Sequence, residues 1–303
     1  MKRRSFIQHS SVLGAAVALS PSELLAHPRK PDYLEKVTIL HTNDTHSNIE
    51  TFGENHPKYP NQGGVARRYE LIQQIRNEEK QVLLFDAGDI FQGTPYFNKF
   101  AGTLDMKLMT QLGYDCATLG NHDFDIGLEG FLTAKKYANF PFVNINYDFK
   151  DTILNNHIEH YVVFEKGPFK IGVFGVGIEL KGLVAKTHYE DTLYHDPIPL
   201  VNKTAHHLRN DLDCDLVICL SHLGHFSKQF KLCDRYLAQE TSGIDLIIGG
   251  HTHTFLDEPE VQKNKDGEIV LINQVGWAGL ALGRIDFYLG ERKRAKGYKL
   301  VLV

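Results

Sequence analysis

Short apolar runs rich in Val and Ile alternate along the chain with stretches whose apolar residues recur at helical spacing. The runs "KVTILHT", "QVLLFDAGD", "FVNIN", "FKIGVFGV", "DLVICLSH", "DLIIGGH", "EIVLINQ" and "GRIDFYL" predict strands, because β-branched side chains fit a pleated, half-buried surface. Between them, "GGVARRYELIQQIRNEEK" sets Val65, Tyr69, Ile72 and Ile75 on one helical face, and "LVNKTAHHLRND" and "KQFKLCDRYLAQE" read the same way. This alternation predicts an α/β fold. No internal repeat, low-complexity tract or proline-rich linker interrupts it, so a single domain from about residue 33 to the end is the economical organisation.

The predicted strands finish alike. "TILHTND" runs into Thr45 and His46, "LLFDAGD" ends in Asp89, "ATLGN" in Asn121, "VICLSH" in His222, and "IIGGHTH" in His251 and His253. A sheet core has no use for polar groups at those positions. In open α/β sheets, however, the carboxyl ends of the strands converge on one crevice, where residues distant in sequence meet. Loop polars that merely follow strands would account for one or two cases. They account poorly for the set Asp44, His46, Asp89, Asn121, His222, His251 and His253.

Imidazole and carboxylate suit divalent ions such as Zn, Mn, Co or Fe, and the absence of thiolates from the pattern argues against a structural cysteine-type zinc site. Seven ligands are too many for one tetrahedral ion. One carboxylate shared between two ions gives each four protein ligands.

Composition narrows the partners. With 303 residues, 42% of them hydrophobic, the chain can bury a large core. A formal charge of −4 gives no argument for nucleic acid or an anionic membrane surface as partner, so an anionic substrate needs local positive charge. The first 26 residues stand apart from the fold. Lys2, Arg3 and Arg4 precede "SVLGAAVALS", an apolar stretch too short to span a bilayer, and the pair reads as an export signal cleaved after Ala26, although Leu24 is large for such a site. Arg3 and Arg4 followed by Ser5, Phe6 and Ile7 resemble the twin-arginine type, which implies a periplasmic protein exported after folding. Removing Lys2, Arg3, Arg4 and Glu23 with that segment takes the formal charge from −4 to −6. Cys116 and Cys219 sit in apolar runs and read as core. Cys214 and Cys233 could pair in an oxidising compartment, but nothing in the sequence brings them together.

In this order, "NDTH", "AGDIFQG", "LGNHDFD", "SHLGH" and "GGHTH" resemble the calcineurin-like metallophosphoesterases, and among them the 5′-nucleotidase family. The likeness runs from about Lys36 to Phe287 and takes in "QGGVARR" and "NQVGWAGLALGRID". It implies a four-layer α/β/β/α sandwich with a dimetal site at the carboxyl ends of the strands. Transferred to this sequence, Asp44, His46, Asp89 and His253 would hold one ion and Asp89, Asn121, His222 and His251 the other, with Asp89 bridging. His122 would be the catalytic imidazole, and Asp125 would accept its second ring N–H and fix its tautomer. The implied reaction is hydrolysis of a phosphate monoester, nucleotidase-like, by a hydroxide bridging the two ions and without a covalent phosphoenzyme. Gly120 is expected to allow the tight exit into this motif. Asp123 stands where relatives often carry Glu and receives no catalytic role; Phe124 reads as packing.

The remaining candidates have plainer readings. His225 of "SHLGH" resembles a position near the site in relatives and is read equally as supporting or as unrelated. His41 is not expected to be a ligand, and His56, His157, His160, His188, His195, His206 and His207 read as surface or helix-face residues. Asp86 reads as a structural group in its strand exit, and Arg67 and Arg68 as helix surface. Phe91, Tyr96 and Phe97 of "FQGTPYFNKF" read as core in preference to a clamp for a base.

Nucleotidases of this family usually continue into a second domain that grips the base and phosphate. With the sequence ending at Val303, that C-terminal substrate domain is expected to be absent, and a separate chain is one way to supply it. Alternatives on the same fold are a cyclic phosphodiester, nucleotide-sugar or sulfur-ester hydrolase. An alternative of another class is a non-catalytic metal-binding subunit, against which His122 and Asp125 argue.

Overall fold

The computed structural model describes residues 34–226, 228, 232–290 and 294–303. In chain order, the first part contains β1 (Glu35–Thr42), α1 (Val65–Glu78), β2 (Val82–Asp86), α2 (Pro95–Phe100), α3 (Thr103–Leu112), β3 (Cys116–Ala117) and α4 (Gly127–Lys135). A 3-10 turn at His122–Phe124 precedes α4. Next come β4 (Tyr147–Asp148), β5 (Tyr161–Lys166), β6 (Phe169–Gly177), α5 (Lys186–Tyr189), β7 (Leu193–Tyr194) and α6 (Pro197–His206). The last part contains β8 (Leu216–His222), α7 (Asp234–Glu240), β9 (Leu246–Gly249), β10 (Glu260–Lys263), β11 (Ile269–Asn273), β12 (Ala281–Leu289) and β13 (Arg294–Leu302).

Among the described residues, a five-stranded sheet runs β13-β12-β1-β2-β3 and a six-stranded sheet runs β10-β11-β9-β8-β6-β5. The inner strands are parallel: β1 to β2, β2 to β3, β6 to β8, β8 to β9 and β9 to β11. Antiparallel strands close the flanks. Parallel pairing sends the strands so paired out at the same edge of their sheet. Register then brings the exits level, with Thr42 beside Asp86 and Asp86 beside Ala117.

Alternation along the strands decides the layering, since successive side chains point to opposite faces. Val37, Ile39, Leu83, Phe85 and Ile285 of one sheet meet Ile171, Val173, Leu216, Ile218, Leu246 and Ile248 of the other in a core between the sheets. Their neighbours Leu40, Val82, Leu84 and Leu282 face outward onto Ile72 and Ile75 of α1, Met106 and Met109 of α3, and Leu128 and Phe131 of α4. On the far side, Phe174, Val176, Val217, Cys219 and Ile247 pack against Val201 and Ala205 of α6 and Leu237 and Ala238 of α7. Three cores between four layers make the helix, sheet, sheet, helix sandwich that the resemblance implies.

Three expected elements come out differently. "FVNIN" forms only isolated bridges, Phe142 to Ala117 and Val143 to Glu159. Its amides are the reason: Asn144 Oδ1 accepts the N–H groups of Asn146 (3.0 Å) and Tyr147 (2.8 Å), replacing a ladder with a turn. Of the helix expected from "KQFKLCDRYLAQE", residues 229–231 lie outside the described residues, and the described helix starts at Asp234, after an extended Cys233 (φ −156°, ψ 172°). The helix of "LVNKTAHHLRND" ends at His206 and continues as one π turn, His207–Asp211. All four cysteines are buried free thiols, Cys214 and Cys233 included. The export segment and Ala26 lie outside the described residues. Among the described residues, no helix is long and apolar enough to cross a membrane.

Candidate metal centre

Beyond Thr42 and Asp86 the strands end, yet their backbones stay paired. Asp44 N–H donates to Gly88 C=O (2.9 Å), His46 N–H to Asp89 C=O (3.1 Å) and Ser47 N–H to Ile90 C=O (2.9 Å). This zipper carries Asp44, His46 and Asp89 side by side. Asp44, His46, Asp89, His251 and His253 all adopt left-handed backbone conformations, with φ between 48° and 72°. Non-glycine residues there are strained, and such strain persists where surrounding contacts over-determine it.

Two groups of metal-competent atoms result, Asp44 with His46 and His253, and Asp89 with His222 and His251; within each, the ligand atoms lie within 4.8 Å of one another. His253 Nε2 is 3.1 Å from His46 Nε2 and 3.3 Å from Asp44 Oδ1. Asp89 Oδ2 lies between the groups, 3.8 Å from His46 Nε2 and 3.0 Å from His222 Nε2. Asn121 joins the second group, its Oδ1 2.9 Å from His251 Nδ1. Asp44, His46, Asp89, Asn121 and His222 are buried, whereas His253 is 40% exposed and opens the site to solvent.

The tautomers direct lone pairs inward. His46 Nδ1–H donates to Phe91 C=O (3.0 Å) and His222 Nδ1–H to Ala87 C=O (2.7 Å), which leaves both Nε2 atoms as potential ligands. His222 Nε2 is buried without a hydrogen-bond partner although it faces the Asp89 carboxylate. A lone pair opposed to a carboxylate oxygen calls for positive charge between them, so the residues present fit a divalent cation. Electrostatics show the same demand for positive charge at this point, which a proton on His222 also meets. Burial alone would raise the Asp89 carboxyl, but His222, His46 and His122 outweigh it and hold it well below the carboxylate range. Burial alone would lower His222, but Asp89 and Asp44 push it up. Burial, followed by the positive His222, lowers His251 to about 4.

Beside the first group stands His122, its ring centroid 5.3 Å from that of His46. Its Nδ1–H donates to Asp125 Oδ2 at 2.7 Å, and its backbone N–H donates to Asp89 Oδ1 at 2.8 Å. The hydrogen bond to Asp125 raises the His122 pKa above its ordinary 6.5; partial burial opposes it and Asp89 adds to it. The imidazole is 38% exposed.

Comparison with known proteins meets this geometry. Residues 37–255 match the calcineurin-like phosphoesterase family model. The chain belongs to the calcineurin-like phosphoesterase family. It is 39% identical over 282 residues to a snake venom 5′-nucleotidase of Crotalus adamanteus, covering 85% of this chain and 46% of that protein. The chain thus spans about half the length of the curated relatives it matches. A 5′-nucleotidase precursor from Thermus thermophilus superposes with a TM-score of 0.77 at 29% identity, covering 89% of this chain and 55% of that one. The calcineurin-like phosphoesterase YfkN from Bacillus subtilis does so with 0.72 at 28% identity, covering 89% and 91%.

Several residues that hold this phosphoesterase centre together carry no sequence signal of their own. Asp123 is buried, and its carboxylate accepts four backbone N–H groups: Asp89 (3.0 Å), Ile90 (3.0 Å), Phe91 (3.2 Å) and Gly120 (2.8 Å). It clamps the Asp89 loop to the Asn121 loop. Asn43 Nδ2 donates to Asp44 Oδ2 and to Gly276 C=O (both 2.6 Å), while its Oδ1 accepts Val275 N–H (2.9 Å). Gln274 Nε2 donates to Gly250 C=O (2.5 Å), and its Oε1 accepts Thr254 N–H, so it brackets the loop bearing His251 and His253. Gly120 is required by packing: a Cβ there would collide with Asp89 Oδ1.

The other candidates fall outside both groups. His225 Nε2–H donates to Glu260 Oε2 at 2.8 Å, and Arg235 Nε donates to Glu260 Oε1 at 2.6 Å. His41 is fully buried opposite Gly283 in β12. Asp86 accepts from Thr42 Oγ1 (2.5 Å) and Gly88 N–H (2.9 Å), a role within the strand exit. Phe91 and Phe124 are core, Phe97 packs against that core, and Tyr96 donates to Glu50 at the surface (2.5 Å). The reading of Arg68 as helix surface is overturned: it is 3% exposed. Its guanidinium lies against Gly279, and its charge opposes the burial that raises Asp86, Asp105 and Tyr114.

Proposed function

We propose that this chain is a metal-dependent phosphoric ester hydrolase of the nucleotidase kind, acting on phosphate monoesters and in particular on nucleotides. The observation that carries the reading is the position of Asp89, whose Oδ2 faces an imidazole of each metal-competent group. Asp44, His46, Asp89 and His253 would hold one divalent ion, and Asp89, Asn121, His222 and His251 the other. When bound, such a pair acidifies water into a nucleophile and neutralises charge on the phosphoryl oxygens.

The chain's own residues do the rest. With Nδ1–H committed to Asp125, His122 presents Nε2 as its working atom. The raised pKa keeps a proton there at higher pH than on a free imidazole. That proton is available to a phosphoryl oxygen as charge builds, or to the departing alkoxide. The hydrogen bond from His122 N–H to Asp89 Oδ1 ties this imidazole to the shared ligand, so the acid and the phosphate site keep a constant spacing. Relatives named 5′-nucleotidases support a nucleotide substrate. Export to the periplasm belongs to the same proposal and rests on residues 1–26, with Arg3 and Arg4.

The test is an assay of the purified full chain, loaded with Mn, Zn or Co, on p-nitrophenyl phosphate, its bis ester and a nucleotide panel. Hydrolysis of the monoesters, abolished by chelation and restored by metal, is the expected result. Turnover of the bis ester alone, or of no ester, overturns the reading.

A further inference from the structure

From His253, a member of the metal-competent set, a strip of aromatic rings leads away that the ligand set does not use. Trp277 lies flat against His253, with ring centroids 5.9 Å apart and planes 8° apart. Phe52 follows at 6.0 Å from Trp277, then His56 at 4.5 Å and Tyr59 at 6.2 Å from Phe52. Phe255 closes the strip 6.3 Å from Tyr59. None of these rings is buried in the core. Phe255 is 37% exposed, and Phe52, His56, Tyr59 and Trp277 are half-buried. Isolated exposed apolar residues are ordinary on a protein surface, but a contiguous patch is a mark of binding.

The strip is also held in place. Phe52 N–H donates to Gln62 C=O (2.9 Å) and its C=O accepts Asn61 N–H (3.1 Å), which closes the 52–62 loop at its base. His56 Nδ1 accepts Tyr59 N–H at 2.9 Å inside that loop. Trp277 is anchored through its neighbour, since Ala278 N–H donates to Asp44 C=O at 2.7 Å. Phe255 rests on Gly276, where a Cβ would collide with the ring. Rings fixed in this way lose little conformational freedom on meeting a ligand.

We propose that this strip is the leaving-group subsite, and that it takes phosphate monoesters whose alcohol carries a flat aromatic ring, an aryl group or a nucleoside. The proposal rests on the hydrolase reading for the position of the phosphate. One end of the strip is a residue of the metal-competent set, so a ring tethered to a phosphate held there lies over Trp277 and Phe52. The strip is built of rings, and stacking on a ring tolerates any base. It therefore separates aryl from alkyl leaving groups and does not tell one base from another.

Trp277 is the single tryptophan of the sequence, so the intrinsic fluorescence of the full chain reports on the strip itself. Adenosine is expected to quench it saturably, with chelator and with Mn²⁺ alike, and ribose to leave it unchanged. In kinetics, Phe52→Leu is expected to lower kcat/KM for adenosine 5′-monophosphate by about fivefold more than for ribose 5-phosphate, the share of affinity that stacking supplies. Absence of saturable quenching overturns the subsite, as do equal losses on the two substrates. Quenching in a chain that hydrolyses no ester leaves the strip standing and removes the hydrolase. Hydrolysis without quenching does the reverse.

Discussion

The backbone N–H of Asp89 donates to the buried carboxylate of Asp123 at 3.0 Å, and the same oxygen accepts Gly120 N–H at 2.8 Å. One carboxylate thus sets the distance between the loop of Asp89 and the loop of Asn121. Asp123→Asn would turn an NH₂ donor toward backbone donors. The expected outcome is a loss of about 2 kcal/mol in urea unfolding, with lowered metal content at both sites by elemental analysis. Unchanged stability would remove the clamp.

In the proposed mechanism His122 and Asp125 act downstream of metal binding. His122→Asn is expected to retain its metal while turnover falls on the order of a hundredfold. Asp125→Asn should lose less, because it acts through the ring it orients. Steady-state kinetics beside elemental analysis separate the two effects. Wild-type turnover in His122→Asn would end the assignment.

The metal sites predict an asymmetry. The full chain is expected to bind two divalent ions, lost on chelation. Asp89→Ala should empty both sites, since Asp89 Oδ2 faces His46 and His222, and His253→Ala should weaken mainly one. Ion counts per chain by elemental analysis decide it. A single ion in the active wild type would contradict the shared carboxylate.

His41 makes the fold acid-sensitive. Burial lowers its pKa from 6.5 to about 4, against an opposing pull from Asn273. Below about 6.5 the unfolded chain takes up a proton that the folded chain refuses until about 4. Stability is therefore full above that window and falls as pH drops through it. Chelated wild type should lose about 2 kcal/mol more than His41→Phe between pH 7 and pH 5. Parallel urea curves for the two proteins would refute the buried neutral imidazole.

Much of this protein is legible in its sequence because periodicity is local information. Alternation in "KVTILHT" and "DLVICLSH" separates Ile39 from Leu40 and Ile218 from Val217, and the layers of the sandwich follow from that separation. The convergence of Asp44, His46, Asp89, Asn121, His222, His251 and His253 is legible because strand exits repeat a chemistry that cores exclude. "FVNIN" misleads, since Asn144 satisfies two backbone N–H groups through its side chain and no local pattern reports it.

What only the tertiary structure decides are the roles that depend on a distant partner. Asp123 reads as an unassigned acid until the backbone of 89–91 folds over it. Arg68 reads as helix surface until the fold buries it with its guanidinium against Gly279. Trp277, Phe52 and Phe255 form a strip only because loops far apart in sequence end at one rim. A sequence states which groups a residue can offer, through period and composition, whereas burial and hydrogen-bond satisfaction are properties of the assembled chain. For the ligands those two kinds of information coincide. For the residues that hold the ligands in place, only the fold supplies the second.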